Sequence, residues 1–583
     1  MVILGINSAY HESAAALLVD GVLVAAAEDE RFSRIKHGKR SAVDNAHEIP
    51  WKSVKFCLNR AGLRLSDVDH VGYSFDPWVR RAAVWNDRSK PQSGDFGTPE
   101  GERIFFESNL QARDSILSRM PGAKFHFLSH HRCHAASAYL VSPFSRAGVL
   151  VVDGIAESAS TWAGVGDSQL RSLFEVEYPH SLGFLWEKVC EFLGFDRYDG
   201  PGKVMALGTV SEARDIASGV DYRDAFREFV CLKPEGQFTI APEVLEYRGA
   251  GFEGLEKILG PRDEALLGPA RRNSIAAGLQ QITEEVLTHV AAELWRRING
   301  MRTDQVSDLC LAGGVALNCA ANQKLLERTP WKRLWIQPAA HDGGTALGAA
   351  LLVWNEKLGK SQRPEMQDAY LGPSFSDREC ETALLRAGLP FERPADLPLR
   401  VASLVSEGNV AGWFQGRMEF GPRALGNRSI LADPRRPQTR TVLNRKIKER
   451  ECFRPFAPSV LAKDAARWFP MPGDGSAASG PGEFMLVAAP VSSDGPEAFP
   501  AVVHRNLQTG AATARVHLVK PGRNPLYEEF LHGCREALGA GMSLNTSFNV
   551  AEPIVCSPDD ACGSFIRSGL DAMAIGSYLV TRQ

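Results

Sequence analysis

An α/β protein, with a duplicated first domain and a second domain after it, is the fold class the sequence predicts. Three observations carry that expectation. A hairpin signature opens the chain at Val2–Ala27, a similar pattern returns at Gly148–Val165, and the composition changes over Lys357–Asp377.

Val2–Ile6 is a short apolar run, as expected of a buried strand. Ala14–Val19 and Val22–Ala27 are two more, separated by Asp20-Gly21. That dipeptide suits a type I′ turn, which needs positive φ at both central residues. The first connection, Asn7–Ser13, is polar and rich in functional groups. The second occurrence runs from Gly148–Val152 through Asp153…Glu157-Ser158-Ala159 into Thr161–Val165. It parallels Asn7…Glu12-Ser13-Ala14, which predicts an internal duplication of two α/β halves.

Helices are expected over Asn273–Ile298 and Val315–Glu327, with a strand over Ser307–Ala312 ending at Gly313-Gly314 between them. Arg333–Gln337 reads as a strand leading through Asp342-Gly343-Gly344 into an Ala-rich helix that reaches Trp354. The aperiodic Gly, Pro and Ser stretch that follows separates a domain at 1–358 from one at 370–583. In the second, Leu399–Ser406 reads as a helix and Val410–Phe414 as a strand. A basic, glycine-containing segment spans Gln415–Arg454, and Met471–Gly482 reads as a surface loop.

With 583 residues the chain has room for two or three domains. A net charge of -3 lacks the basic surplus expected of a nucleic-acid binder. The 11 cysteines contain no C-x-x-C pair, which argues against a disulfide framework or a zinc ribbon and for a reduced, cytoplasmic setting. The first residues lack the basic n-region of a signal peptide. No run approaches the roughly 18 apolar residues of a membrane span.

Four groups of residues suggest chemistry. His130 and His134 lie one helical turn apart, so both imidazoles can meet one metal ion, while His131 and Cys133 point elsewhere. Asp153 and Asp342, each at a strand end, can complete a set that suits iron, zinc or manganese. The turns Asp153-Gly154, Gly313-Gly314 and Asp342-Gly343-Gly344 offer backbone amides to phosphate, with Asn318 near for ribose or base. Arg417, Arg423, Arg428, Lys446, Lys448, Arg450 and Arg454 are interleaved with glycine, proline and apolar residues, unlike a solvated helix face, and suggest a pocket for a small anion. His11, beside Asn7 and Glu12, suits a general base near neutral pH.

Taken in order, these motifs resemble those of the O-carbamoyltransferases of the NodU/CmcH type, which modify antibiotics and nodulation factors. The resemblance covers nearly the whole chain. It rests on Gly5-Ile6-Asn7…His11…Ser13-Ala14-Ala15, His130-x-x-x-His134-Ala135-Ala136-Ser137-Ala138, Gly202-Lys203-Val204-Met205, Gly313-Gly314-Val315-Ala316-Leu317-Asn318 and Asp342-Gly343-Gly344. It continues in Glu419–Ser429, Arg454-Pro455-Phe456-Ala457-Pro458-Ser459 and Leu544–Asn549.

The resemblance implies an actin/sugar-kinase-like first domain, similar to the tRNA threonylcarbamoyl-transfer subunit, followed by a YrdC-like domain. It implies that carbamoyl phosphate and ATP, with Mg, give carbamoyl adenylate in the second domain. A hydroxyl of a small-molecule acceptor then takes the carbamoyl group in the first. His130, His134, Asp153 and Asp342 match the metal ligands, with iron favoured, and His11 matches the catalytic histidine. Arg423, Lys448, Arg454, Arg515 and Asn545 match the carbamoyl phosphate and adenylate pocket. Lys36, Lys203, Gly313, Gly314 and Asn318 are further nucleotide candidates, and His341 stands where it can neighbour the metal. A tRNA-modifying transferase fits less well with the acidic charge and the fused domains. A hydrogenase-maturation enzyme would need C-x-x-C pairs. No motif identifies the acceptor or the oligomeric state.

Overall fold

The computed structural model describes residues 1–85, 96–245, 251–263, 267–300, 305–470 and 479–582. Residues 471–478 of the expected surface loop Met471–Gly482 thus lie outside the described residues. The chain divides into two compact units. One comprises Met1–Asp29, His37–Met366 and Asn506–Gln508, and the other Glu30–Lys36, Gln367–Arg505 and Thr509–Gln583.

The first unit opens with β1 (Val2–Asn7), β2 (Ala14–Val19) and β3 (Val22–Glu28). Every residue of β1 is buried, as the unbroken apolar run predicts. Asp20 and Gly21 have φ of 49° and 80°, the two positive values the type I′ turn requires. With β4 (His70–Tyr73) and β5 (Lys124–Phe127) these strands form a sheet in the order β3-β2-β1-β4-β5. The second half contributes β6 (Ala147–Val152), β7 (Ala159–Gly166) and β8 (Leu170–Glu177). After a small hairpin of β9 (Val230–Leu232) and β10 (Phe238–Ile240) come β11 (Asp308–Ala312) and β12 (Arg333–Ile336). Their sheet runs β8-β7-β6-β11-β12.

The two sheets are the same object. In each, the first strand pairs antiparallel with the second and parallel with the fourth, and the second pairs antiparallel with the third. The expected duplication is therefore present in the topology. The helix expected from Asn273 extends over Pro269–Asn299. The stretch expected as one helix from Val315 is a 3₁₀ turn, Gly314–Leu317, followed by a helix at Cys319–Arg328. Asn318 separates them by capping the second, its side chain accepting from Ala321 N at 3.0 Å.

Helices His130–Tyr139 and Gly343–Leu352 follow the last strand of each half. They pack together at Gly348, where a Cβ would stand 1.7 Å from the Cys133 carbonyl oxygen. Only a glycine admits that approach, which draws the N-terminal ends of the two helices together.

The second unit is a three-layer α/β/α structure. Its sheet contains β13 (Ala411–Phe414), β14 (Arg428–Ala432), β15 (Ala457–Leu461), β19 (His517–Val519), β20 (Met542–Ser547), β21 (Ala572–Ile575) and β22 (Tyr578–Thr581), in the order β19-β15-β20-β14-β13-β21-β22. A smaller sheet joins β16 (Ala488–Pro490), β17 (His504–Arg505) and β18 (Ala512–Arg515). Alternation along the strands divides the core in two. Trp413 and Leu431 pack with Val401, Val405, Phe530 and Leu531 of helices Leu397–Glu407 and Pro525–Leu538. Phe414 and Ile430 face the other way, onto Leu384 and Phe565 of helices Asp377–Arg386 and Pro558–Arg567.

Candidate active site

In the first unit, one ligand atom each from His130, His134, Asp153 and Asp342 lies within 4.8 Å of the others. His130 Nε2 is 3.5 Å from Asp153 Oδ2 and 3.4 Å from Asp342 Oδ1, and His134 Nε2 is 3.6 and 3.5 Å from the same oxygens. The histidines share one face of their helix. Asp153 follows β6, and Asp342 precedes the helix packed at Gly348. All four side chains are buried.

The donor set fits a metal ion. Both Nε2 atoms are buried without a hydrogen-bond partner. His130 Nδ1 lies 3.0 Å from the Ser74 carbonyl oxygen, an acceptor that fixes the proton on Nδ1 and leaves the Nε2 lone pair for the ion. Burial alone would lower the His130 pKa, but the Asp342 and Asp153 carboxylates raise it well above the ordinary value. Burial opposes ionisation of Asp153 too, yet the two imidazoles hold it well below the usual carboxylate range. The pocket thus favours positive charge between its carboxylates, which a divalent cation supplies.

The shell around these ligands is built from both halves. Gly313 has a φ of 89°, and a Cβ there would meet the Val152 carbonyl oxygen at 2.2 Å. This tight turn aims Gly314 N at Asp153 Oδ1, 3.0 Å away. Glu157 Oε1 accepts from His130 N at 2.9 Å and Asp76 N at 3.0 Å, anchoring the start of the histidine helix. A carboxylate there also meets the positive end of the helix dipole. Arg80 donates to the Glu157 carbonyl at 3.0 Å while forking onto Glu102 at 3.0 and 2.7 Å. Sequence reasoning noticed Glu157 only as the repeat of Glu12 and gave it no role. That recurrence was the signal.

His11 sits in the polar loop after β1, its Nδ1 buried without a hydrogen-bond partner. Its neighbour Tyr10 packs edge-on against the His130 ring, 5.7 Å between centres, which places this loop beside the cluster. His341 does not join the four-residue set. Its Nδ1 accepts from Gly343 N at 3.0 Å, and its ring faces Glu12 and Glu28, each 3.9 Å away.

Of the nucleotide candidates, Gly313 and Gly314 adjoin Asp153. Asn318 is occupied by its helix cap and by Gln280, to which it donates at 2.9 Å. Lys203 lies on helix Gly200–Thr209, with Pro201 in the first turn, and its ammonium is 5.9 Å from the Phe195 ring centre. Lys36 belongs to the second unit, where its charge acts on Lys448.

In the second unit, Lys448 is buried and donates to the Ser547 carbonyl, to Asn549 O at 2.8 Å and to Asn549 Oδ1 at 2.7 Å. Burial, then Arg450 and Arg454, push its pKa well below the usual lysine range. Burial, then Arg454 and Arg515, bring Arg450 down to about 9. The basic residues therefore do converge. Asn545, on β20, donates to Ala424 O at 3.1 Å and Ser459 Oγ at 2.9 Å, and its Oδ1 is buried without a hydrogen-bond partner.

Two members of the expected anion pocket are structural instead. Arg428 is fully buried, stacks 3.8 Å over Phe414 and donates to the carbonyls of Gln415, Asn427 and Pro373. Arg417 donates to the carbonyls of Gly372 and Leu371. Both are used where chain segments turn without a strand partner.

Comparison with known proteins agrees with this layout. The family described as Carbamoyltransferase N-terminus matches residues 2–351, and Carbamoyltransferase C-terminus matches residues 402–582. An uncharacterized protein of Synechocystis sp. is 35% identical, covering 100% of this chain and 96% of that protein. Nodulation protein NolNO of Sinorhizobium fredii is 34% identical over 99% of this chain and 80% of its own length. Among solved structures, HypF from T. kodakarensis matches 60% of this chain and 47% of its own, with 14% identity and a TM-score of 0.29. Among the described residues, no helix is long and apolar enough to cross a membrane. With both family matches falling on the units that hold the two clusters, the chain belongs to the carbamoyltransferase family and is a carbamoyltransferase.

Proposed function

We propose that the protein is an ATP-dependent O-carbamoyltransferase that modifies a hydroxyl of a small-molecule natural product. The observation that carries this reading is the meeting of His130, His134, Asp153 and Asp342 beside the loop that carries His11, in a chain whose other unit gathers Arg450 and Arg454 about a buried Lys448. The second unit is YrdC-like and makes the activated donor. Carbamoyl phosphate, water and ATP give carbamoyl adenylate, with orthophosphate and pyrophosphate leaving. Arg423, Arg454 and Arg515 hold the phosphates, and Lys448, its ammonium engaged by Ser547 and Asn549, adds its charge beneath them. An arriving dianion restores the charge that burial withholds from Lys448. The open Asn545 Oδ1 accepts from the carbamoyl NH₂ group.

In the first unit the acceptor oxygen attacks the carbamoyl carbon, and AMP leaves. His11 takes the hydroxyl proton, and Gly313 offers its amide to the adenylate phosphate while Gly314 N holds Asp153. His130, His134, Asp153 and Asp342 would hold the metal, iron most readily, which when bound supplies a positive centre for the phosphate. Mg accompanies ATP, and the phosphorylated substrates place the reaction in the cytoplasm.

The test is incubation of the protein with ATP, Mg and labelled carbamoyl phosphate, without acceptor. Pyrophosphate release and a carbamoyl adenylate, detected by mass spectrometry, are expected. Both should be lost in Lys448→Met. Absence of pyrophosphate release, or full adenylate formation in Lys448→Met, would overturn the reading.

A further inference from the structure

We infer that His37, clamped by Glu12, is a positioning residue that sets the imidazole of His11 for proton transfer. This rests on the proposed role of His11 as the acceptor base. His37 and Glu12 are tied twice. Glu12 N donates to His37 O at 2.8 Å, and the Glu12 Oε1 carboxylate oxygen meets His37 Nδ1 at 2.6 Å. Both residues adopt left-handed backbone conformations, with φ of 54° for Glu12 and 63° for His37. Such values in residues other than glycine carry a strain that the surroundings must hold, and this strain gathers at functional sites. Neither residue is required by an element of secondary structure, because both lie in loops.

The clamp reaches His11 through a second contact. Tyr198 packs edge-on against the His11 ring at 5.3 Å between centres, and tilted against the His37 ring at 5.9 Å. His37 Nε2 stands 3.5 Å from Asp199 Oδ1, in the residue next to Tyr198. His37 thus joins both sides of the His11 ring. Through Glu12 it fixes the loop that carries His11, and through Asp199 and Tyr198 it fixes the surface against which that ring rests. His11 itself forms no hydrogen bond at Nδ1 that would orient it. Its aim depends on packing, and His37 organises the packing.

The experiment uses the full chain with ATP, Mg, metal and carbamoyl phosphate, and water as the carbamoyl acceptor. AMP release reports turnover, and quenched samples report adenylate. His11→Ala should stop AMP release and let carbamoyl adenylate accumulate. His37→Ala should do the same in part, lowering kcat for AMP release about 10-fold to 100-fold, as loss of an outer-shell partner does. KM for ATP and carbamoyl phosphate should stay unchanged. His37→Asn, whose side-chain amide can donate to Glu12 from the place of Nδ1, should recover the part of kcat that rests on the Glu12 clamp, whereas His37→Gln should not. Carbethoxylation of His11 by diethyl pyrocarbonate, read by peptide mass spectrometry, should change in rate in His37→Ala and return in His37→Asn.

If His11→Ala accumulates no adenylate, the reading of His11 fails and the inference falls with it. If His11→Ala behaves as expected but His37→Ala turns over at the normal rate, the inference alone fails. It fails equally if His37→Asn is no better than His37→Ala.

Discussion

Replacing Gly348 with alanine tests whether the metal cluster is set by the approach of two helices. The new methyl carbon would start 1.7 Å from the Cys133 carbonyl oxygen, where real Cβ atoms stay beyond 3.0 Å. The helices must therefore part by about 1.3 Å, and the obstacle is backbone, which cannot rotate away. Alanine is intrinsically better in a helix by about 1 kcal/mol. Overpacking costs up to about 3 kcal/mol when the neighbour cannot yield, so a net loss of roughly 2 kcal/mol is expected. The unfolding temperature should fall by a few degrees. His130 and His134 lie on one helix and Asp342 at the head of the other, while metal–ligand distances tolerate only about 0.2 Å. Metal retention against a chelator should drop at least tenfold, a change larger than the stability loss alone explains. Thermal unfolding and metal analysis of the same preparation read both effects. An unfolding temperature at or above that of the parent, with unchanged metal retention, would refute the reasoning.

Three further outcomes are expected. His134→Ala should lose most bound metal on dialysis while remaining folded, as measured by elemental analysis and circular dichroism; full occupancy would remove it from the ligand set. Burial pushes His504 and His517 down to about 3, so below the ordinary value of 6.5 the unfolded chain binds more protons than the folded one. Stability of the second unit should therefore be full above about pH 6.5 and decline toward pH 3, by about 2 kcal/mol per histidine at pH 5. Urea midpoints at pH 7 and 5 check this, and the double variant His504→Gln/His517→Gln should narrow the gap. Arg428→Lys should destabilise the second unit by about 3 kcal/mol or more, because several buried carbonyls lose their donor. Limited proteolysis should show it, and resistance equal to the parent would mean that the cation is dispensable.

Much of the fold was legible because its signals are local. The Asp20-Gly21 turn dictates the first hairpin, and the repeated Glu-Ser-Ala loop revealed the duplication. The histidine pair was legible because helical spacing alone places both rings on one face. The surroundings of Arg428, Lys36 and His37 were not legible, because each is decided by partners distant in sequence. Arg428 reads as one more cation in a basic segment until Phe414 and the Pro373 carbonyl surround it. Asn318 looks free for a nucleotide until the helix start one residue later claims it. His341 resembles a ligand by adjacency to Asp342, but its ring turns toward Glu12 and Glu28.

The two matching sheets carry a consequence for how such a catalyst arises. A symmetric pair of identical halves would have to use each loop in the same way in both copies. Joined in one chain, the copies are free to differ. The strand end at Asp153 brings a carboxylate to His130 and His134, while its counterpart Asn7 donates to the carbonyls of His11 and Glu12 and shapes the loop that holds them. Glu157 grips the histidine helix directly, whereas Glu12 turns to His37 and His341. Fusion thus leaves one loop free to bring a carboxylate to the histidine pair and the other free to hold His37, a division of labour closed to any assembly of equal partners.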